Sequence, residues 1–215
     1  MHQFFKMLRL SKVSEQMRIL AFSDIHRRLS AITNLRNKAL RADIVICCGD
    51  LADFGHGLRR VCEELRGIHE LFLVIPGNNE RPEQLKGICE EFGWIYLHGK
   101  TFKFGEFSFA GVGGSTTTPF NTPFELSEEE IEGILRPFEK VKNLILISHS
   151  PPFKTKVDEF IFGVHVGSKA IREFIEKNQP ILNLCGHVHE RAGFEDRIGK
   201  TRVINTGRDG IIVEI

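Results

Sequence analysis

Several common sequence features are scarce or missing in this chain of 215 residues. No apolar run reaches the roughly 18 residues that a bilayer-spanning helix needs, so no membrane segment is predicted. The net charge of +1 provides no overall attraction for nucleic acid or an anionic membrane. Any anionic ligand must therefore be bound by a local site.

Cysteine pairs and two of the aromatic residue types are also scarce. The five cysteines form no Cys-x-x-Cys motif and lie mostly in apolar stretches, which predicts reduced, buried thiols and a cytoplasmic protein. One Trp and one Tyr stand against 18 Phe, a bias that core filling would explain.

The chain length suits one large domain, which we place at residues 17–215. Residues 1–16 mix Phe4 and Phe5 with Lys6 and Arg9 and lack the apolar centre and cleavage site of a signal peptide. We interpret them as a leader, either an extra helix or a disordered segment. Met17, directly before the first predicted strand, could be an alternative start.

The first half of the chain alternates between two hydrophobic periods. Short apolar runs predict buried strands, and apolar residues at helical spacing predict a helix after each of them. The strands are predicted at 18–23, 44–48 and 71–75, and the helices at 29–40, 58–68 and 81–92. This alternation favours an α/β fold with parallel strands.

The second half predicts further strands, two helices and two long loops. Two antiparallel strands, 95–104 and 107–112, are joined by a turn at Gly105-Glu106, and a loop follows to Pro123. A capping box starts a helix at Ser127 that runs to about Val141. Later elements are a strand at 144–147, a loop or lid at 153–167, a helix at 169–177, a strand at 181–185, and short strands of a second sheet at 193–194, 201–204 and 211–215.

Five predicted strands end in side chains that can bind a metal ion. In open α/β sheets the carboxyl ends of the strands converge at one edge, where ligands bind. One such ending could be chance or a helix cap, but five in one chain indicate a common site. The donors are Asp24, His26, Asp50, Asn78, His149, His187 and His189.

The donor set holds two carboxylates, one amide and four imidazoles, with no thiolate. Such sites suit Mn²⁺, Fe, Zn²⁺, Ni²⁺ or Co²⁺ better than Ca²⁺. Seven donors are too many for one ion that must also hold substrate. They suit two divalent ions, with Mn²⁺ the expected metal, sharing a bridging carboxylate and able to clamp a phosphoryl group.

These blocks, taken together and in this order, resemble those of calcineurin-like metallophosphoesterases. The matching blocks are Asp24-x-His26, Gly49-Asp50-x-x-Asp53, Gly77-Asn78-Asn79-Glu80, His149 and Gly186-His187-x-His189. The resemblance implies a four-layer αββα sandwich, in which two mixed sheets are flanked by helices and the metals lie at one edge of the sheets.

The resemblance also implies a role for each donor. It assigns Asp24, His26 and His189 to one metal and Asn78, His149 and His187 to the other, with Asp50 bridging. Asp53 and Glu80 would support these ligands, or cap turns and form ion pairs. Asn205-Thr206-Gly207 corresponds to a turn near the site in related proteins.

Asn79 departs from the family pattern. The family usually has a His there that approaches the phosphate and can protonate the leaving group. The Asn79 amide can donate a hydrogen bond to a phosphate oxygen and so contribute to catalysis, but it cannot act as a useful acid near neutral pH. His165 and His56 are candidate substitutes, although both suit solvated loop histidines. Arg27 or Arg28 could contact the phosphate, or be ordinary surface arginines.

The resulting hypothesis is a dinuclear metal-dependent hydrolase of phosphate esters, with phosphodiesters favoured. A metal-bridging hydroxide would attack phosphorus in line, while His187, His189 and the ions stabilise the charge that develops. The alternatives are a non-enzymatic binding protein on the same fold and a nuclease, which the absence of a basic stripe disfavours. A small phosphate ester is the expected partner. The sequence leaves open whether the chain forms a homodimer.

Overall fold

A computed structural model describes residues 16–215 of the chain. Within this part, strands and helices follow one another in the order β1 Arg18–Phe22, α1 Ser30–Ala39, β2 Ile44–Cys47, α2 Leu58–Leu65, β3 Phe72–Val74, α3 Pro82–Phe92, β4 Ile95–Tyr96, β5 Thr101–Phe104, β6 Phe107–Val112, α4 Glu128–Leu135, β7 Leu144–Ser148, α5 Lys169–Asn178, β8 Leu182–Cys185, β9 Glu195–Ile198, β10 Thr201–Asn205 and β11 Ile211–Glu214. The predicted leader lies outside the described residues except for Gln16.

The strands form two mixed sheets. The first has the order β11-β1-β2-β3-β4 and the second the order β5-β6-β7-β8-β10-β9. Neighbouring strands from β1 to β4 are parallel, and β11 is antiparallel to β1. In the second sheet the central strands are parallel, and the edge strands β5 and β9 are antiparallel to their neighbours.

Three apolar clusters hold these layers together. The central one lies between the sheets and includes Ile46, Leu73, Phe109 and Ile147, all with at most 1% exposure. A second packs helices α1–α3 on the outer face of the first sheet, and a third packs α4 and α5 on the second. Because both faces of each sheet are covered, strand β2 can be apolar throughout. This arrangement confirms the predicted α/β fold with flanking helices.

The stretch predicted as one strand at 95–104 is two strands in different sheets. β4 pairs with β3 in the first sheet, whereas β5 pairs with β6 in the second. Between them Gly99 adopts φ +67°, and the Lys100 N–H donates to the Leu97 carbonyl at 2.9 Å. The prediction was wrong because β4 and β5 both contain apolar residues and lie close together in the sequence, so the sequence pattern resembles that of one long strand.

The C-terminal strands also differ from the prediction. β9 covers 195–198, since Gly193 at φ +81° begins a turn where a strand was expected at 193–194. β11 was assigned to the second sheet but pairs with β1 in the first. Ile212 packs against the apolar cluster under helices α1–α3, and Val213 packs in the cluster between the sheets. Only a strand of the first sheet faces both of these clusters.

Helix α4 begins as predicted and ends earlier. Its capping box is present, with the Ser127 hydroxyl accepting from the Glu130 N–H at 3.2 Å and the Ser127 N–H donating to the Glu130 carboxylate at 2.8 Å. The helix ends at Leu135 and tightens into a short turn over Arg136–Phe138, not at Val141. Pro137 accounts for this, since it lacks an N–H and its ring obstructs the preceding turn.

Two further observations concern the chemistry of the chain. All five cysteines are free and buried, as the sequence predicts. Within residues 16–215, none of the helices combines the length and apolar character that a membrane crossing requires.

Candidate metal centre

The seven predicted donors lie at the carboxyl ends of five strands. Asp24 and His26 follow β1, Asp50 follows β2 and Asn78 follows β3 in the first sheet, and His149, His187 and His189 follow β7 and β8 in the second. Because the sheets pack face to face, these strand ends form one edge. The structure thus brings together donors that are up to 165 residues apart, Asp24 and His189.

The backbone at this edge is bent sharply. Asp24, His26, Asp50 and His187 all have positive φ, between +43° and +70°. Such conformations are costly for residues other than glycine and persist where the surroundings enforce them. Here the Asp24 N–H donates to the Gly49 carbonyl at 2.9 Å, and the His26 N–H donates to the Asp50 carbonyl at 3.1 Å. The turns therefore aim their side chains at a common point.

Close approach of the loops after β2 and β3 requires glycine at Gly77. A side chain there would overlap the Asp50 carboxylate and the Asp50 backbone nitrogen. Gly77 thus allows the chain after β3 to lie directly against Asp50, which brings Asn78 and Asn79 beside it.

The first donor cluster consists of Asp24, His26 and His189. Their ligand atoms converge: Nε2 of His26 lies 2.9 Å from Nε2 of His189, which lies 3.6 Å from Oδ1 of Asp24. Nδ1 of His26 lies 2.9 Å from Oδ1 of Asp53, a carboxylate that can only accept, so this nitrogen carries the hydrogen. In the neutral ring Nε2 then presents a lone pair to the cluster.

The second donor cluster consists of Asn78, His149 and His187. Oδ1 of Asn78 lies 2.9 Å from Nε2 of His149 and 3.0 Å from Nδ1 of His187. The Asn78 amide donates to the Thr122 hydroxyl at 3.0 Å, which turns its oxygen towards the histidines. Nδ1 of His149 donates to the Cys48 carbonyl at 2.8 Å, which directs its Nε2 at the Asn78 oxygen.

Asp50 lies between the two clusters. Its Oδ2 is 3.4 Å from Nε2 of His26, and its Oδ1 is 3.5 Å from Nε2 of His149. Asn79 fixes the carboxylate by donating its backbone N–H to Oδ1 at 2.9 Å and its side-chain amide to Oδ2 at 2.7 Å. Asp50 thus has one carboxylate oxygen beside each of the two clusters.

The electrostatics favour positive charge at this edge. Burial works to raise the pKa of Asp50, but the charge of His149 lowers it below its ordinary value. Burial likewise opposes ionisation of Asp24, whose pKa the hydrogen bond with His189 and the charge of His149 lower. Burial would lower the pKa of His149, yet the charge of Asp50 raises it to about 9. Two buried carboxylates remain ionised and attract a cation.

These residues fit divalent metal ions. Asp24, His26 and His189 present ligand atoms that all lie within 4.8 Å of one another, and so do Asp24, Asp50 and His149. The Asn78 oxygen lies within 3.0 Å of ring nitrogens of both His149 and His187, and a cation that displaced the His149 proton would find these three ligand atoms converging on it. Burial lowers the pKa of His187 to about 4, which keeps this ring neutral and able to coordinate.

Comparison with known proteins agrees with this geometry. A family model described as calcineurin-like phosphoesterase matches residues 17–191. The chain belongs to this family. Members typically bind two divalent metals, and family membership supports a hydrolase of phosphate esters. The match spans every donor described above.

Individual relatives cover most of the chain. Uncharacterized protein MJ1162 of Methanocaldococcus jannaschii is 36% identical over 199 residues, covering 88% of this chain and 87% of its own length. A probable glycerophosphodiester phosphodiesterase, GpdQ, of Arcobacter nitrofigilis is 28% identical and covers 77% of this chain and 64% of itself. The crystal structure of TT1561 of Thermus thermophilus superposes with a TM-score of 0.68 at 17% identity, covering 93% and 99% of the two chains.

Several other predicted residues lie around the donors. Asp53 holds His26, and the Glu80 carboxylate is fully buried, where it accepts N–H groups of Asp50, Ala52 and Gly77 at 2.6–2.9 Å. Burial and the charge of Asp50 raise the pKa of Glu80 to about 7. Asp53 therefore contacts a donor side chain, whereas Glu80 caps the backbone of the loops that carry Asp50 and Asn78.

The two candidate substitutes for the missing acid, His165 and His56, and the candidate phosphate contact Arg27 do not lie among the donors. His165 pairs with the buried Asp158 at 2.8 Å in the 153–167 loop. His56 and Arg27 line a separate cavity of about 610 Å³, and Arg27 approaches Asp53 at 3.7 Å. None of the three is among the residues that line the cavity at the donors.

Two hydroxyl residues at the site were missed by sequence reasoning. The Ser23 hydroxyl donates to Oδ2 of Asp24 at 2.5 Å and accepts from the Thr206 hydroxyl at 3.1 Å. The Thr122 hydroxyl accepts from Asn78 and donates to Glu125 at 2.7 Å. Ser23 could have been found from the sequence because it directly precedes the donor Asp24. Thr122 lies 44 residues from Asn78, so no local pattern links the two residues.

Two cavities meet at the donors. One, of about 520 Å³, is lined by His26, Asp50, Asn78, His187 and His189 together with Phe54, Phe120 and Phe160. The other, of about 290 Å³, is lined by Asp24 and His189 together with the 206–211 turn, including Arg208. His189 borders both, so the donors lie between two spaces that could each hold part of a ligand.

Proposed function

We propose that this protein hydrolyses phosphodiesters with two divalent metal ions held by the seven donors. The observation that carries the proposal is the position of Asp50, between a cluster of Asp24, His26 and His189 and a cluster of Asn78, His149 and His187. Two Mn²⁺ ions bound there would supply an activated water nucleophile and neutralise charge on the phosphoryl group. We propose both that these seven donors are the metal ligands and that the bound metal is Mn²⁺.

The residues of the chain prepare the site for this chemistry. Asp53, Cys48 and Thr122 each form a hydrogen bond with the outer side of a donor side chain, so that its remaining ligand atom points inward. His187 and His189 border the larger cavity and can also contact a phosphoryl oxygen. Asn79 acts as a positioning residue, since its amide donates to Asp50 and accepts from the Phe54 N–H at 2.9 Å.

Phosphodiesters are favoured over monoesters for two reasons. The two cavities on either side of His189 offer room for two ester substituents, and Arg208 provides a positive charge in the smaller one. The general acid expected of the family is replaced by Asn79, so substrates with good leaving groups need less assistance. A probable glycerophosphodiester phosphodiesterase among the relatives is consistent with this choice.

The test is hydrolysis of an aryl phosphodiester by the purified full-length protein with Mn²⁺. We expect turnover by the native protein and none by Asp50→Asn, because the amide removes the charge between the clusters while keeping the shape. Asp43→Asn is the matched control, since Asp43 lies just before the other end of β2 and bonds the Arg18 N–H at 2.9 Å. Full activity in Asp50→Asn would overturn the proposal.

A further inference from the structure

Three phenylalanines are exposed around the larger cavity at the donors. Phe54, Phe120 and Phe160 retain 53%, 69% and 40% of their accessible surface within the described part of the chain. They come from three separate loops, after β2, after β6 and after β7. Exposed aromatic surface that converges on one concave site indicates ligand binding rather than core filling.

The loop that carries Phe54 is fixed by the donor framework. The Phe54 N–H donates to the Asn79 side-chain oxygen at 2.9 Å, and the Gly55 N–H donates to the Asn79 carbonyl at 2.7 Å. These bonds hold Phe54 at φ +46°, a conformation that a bulky residue rarely adopts. The strain is consistent with a functional placement of this ring.

The loop that carries Phe120 is organised by one carboxylate. Glu125 accepts the Thr118 hydroxyl at 2.5 Å, the Thr122 N–H at 2.8 Å and the Thr122 hydroxyl at 2.7 Å. Burial works to raise the pKa of Glu125, but the hydrogen bonds from Thr118 and Thr122 lower it to about 2, so the carboxylate stays ionised. Since Thr122 also bonds Asn78, the loop is tied directly to the second donor cluster.

The loop that carries Phe160 is tied to the turn containing His189. Arg191 donates from Nε to the Glu159 carbonyl at 2.8 Å and pairs with the Glu159 carboxylate at 2.9 Å. Asp158, fully buried, accepts the Thr155 N–H at 2.7 Å and the Gly167 N–H at 3.0 Å. All three aromatic loops are therefore held before any ligand binds, which reduces the entropy lost on binding.

The charges around this cavity select the kind of group that can enter. Among the described residues that line it, none is Lys or Arg, whereas Asp53 and Glu190 contribute carboxylates. A second anionic group on the ligand would find no partner there. Only the part of a ligand that meets the donors should carry negative charge.

We propose that this cavity binds a neutral aromatic substituent of the phosphate ester. The inference rests on the proposed function, because the phosphoryl group is what anchors the ligand at the donors. Phe54, Phe120 and Phe160 are the specificity-determining residues, packing against the planar ring while the phosphoryl group meets the metal centre. The substrate class is thus an aryl or nucleoside phosphodiester rather than one with small polar substituents such as glycerol.

The experiment compares binding of phosphonates, whose carbon–phosphorus bond resists hydrolysis. Calorimetric titration of the full-length, metal-loaded protein with benzylphosphonate and methylphosphonate measures the preference without turnover. We expect benzylphosphonate to bind about tenfold more tightly, because its ring leaves water for the cavity. In Phe54→Ala and Phe120→Ala the ratio should fall several-fold, with methylphosphonate binding unchanged.

Phe162→Ala is the matched control for this experiment. Phe162 is fully exposed on the same loop as Phe160 but does not line the cavity, so its removal should leave the ratio intact. Equal binding of the two phosphonates would overturn this inference but not the proposed function. The same holds if the ratio of benzylphosphonate to methylphosphonate affinity is undiminished in both Phe54→Ala and Phe120→Ala. Tenfold tighter binding of hexylphosphonate than of benzylphosphonate would also overturn this inference, since a ligand with an alkyl chain would then be indicated. Failure of both phosphonates to bind would overturn the proposed function, and this inference with it.

Discussion

Asn79 occupies the position where the family usually has a histidine, and its contacts define a different role. Its side chain bonds Asp50 at 2.7 Å and the Phe54 N–H at 2.9 Å, and only 7% of its surface is exposed. An amide with these partners orients the carboxylate between the donor clusters. It does not transfer a proton at neutral pH.

We predict that Asn79→Ala lowers kcat/KM by about 10- to 100-fold, as loss of a residue that supports metal ligands commonly does. The loss should be the same for aryl phosphodiesters with acidic and with basic leaving groups, because no proton donor has been removed. Steady-state kinetics over a series of substituted phenyl esters measures this.

The control for Asn79 is Asn37→Ala on the exposed side of α1, which should have full activity. A loss that grows steadily with the basicity of the leaving group would contradict the positioning role. It would mean that Asn79 contacts the leaving-group oxygen.

Single residues also show how far the sequence could lead. The sequence alone identified four of the donors because each follows an apolar run that predicts a strand: Asp24, Asp50, Asn78 and His149. The direction of an amide such as that of Asn79, or the contact of Thr122 with Asn78, depends on the path of loops between strands. No local pattern encodes that path, so these positioning contacts had to come from the structure.

At the scale of elements, the loop between β6 and α4 connects the larger cavity to the second donor cluster. Thr122 is the connecting residue, since its hydroxyl accepts from Asn78 at 3.0 Å and donates to Glu125 at 2.7 Å. Removing this hydroxyl frees the Asn78 amide to rotate, which turns its oxygen away from His149 and His187.

We predict that Thr122→Val weakens metal binding at the second cluster by about tenfold while leaving the fold intact. Valine keeps the shape of threonine and removes only the hydroxyl. Competition with a chelator measures the affinity, and Thr117→Val on the same loop is the control. Unchanged metal affinity in Thr122→Val would show that Asn78 is oriented by other contacts.

The strands that were assigned to the wrong sheet share one physical cause. Apolar alternation reports that a strand is buried, but not which of two stacked sheets it joins. β4 and β5 both carry apolar side chains yet belong to different sheets, and β11 is apolar like β10 but pairs with β1. The early strands were predictable because helices between parallel strands restrict the connections that are possible.

At the scale of the whole molecule, the donor edge joins two sheets that are otherwise held by apolar packing. Asp24 and Asp50 are both buried at this edge, with 2% exposure each, so they repel one another across it. Divalent ions bound between them would remove this repulsion and link the loops of both sheets.

We predict that Mn²⁺ raises the midpoint of thermal unfolding by roughly 5–10 °C over chelator-treated protein. At 100 times the dissociation constant, binding to the folded state contributes about 2.7 kcal/mol, and each kcal/mol shifts a domain of this size by about 2–4 °C. Differential scanning calorimetry measures the shift. Asp50→Asn should show a much smaller one, and equal midpoints with and without Mn²⁺ in the native protein would count against a metal centre.

The number of metal ions bound per chain tests the central claim most directly. Equilibrium titration of chelator-treated, full-length protein with Mn²⁺, followed by elemental analysis of the protein freed from unbound metal, gives this number. Two clusters that share Asp50 predict two ions per chain in the native protein. A native protein that retains no metal at saturating Mn²⁺ would contradict the account.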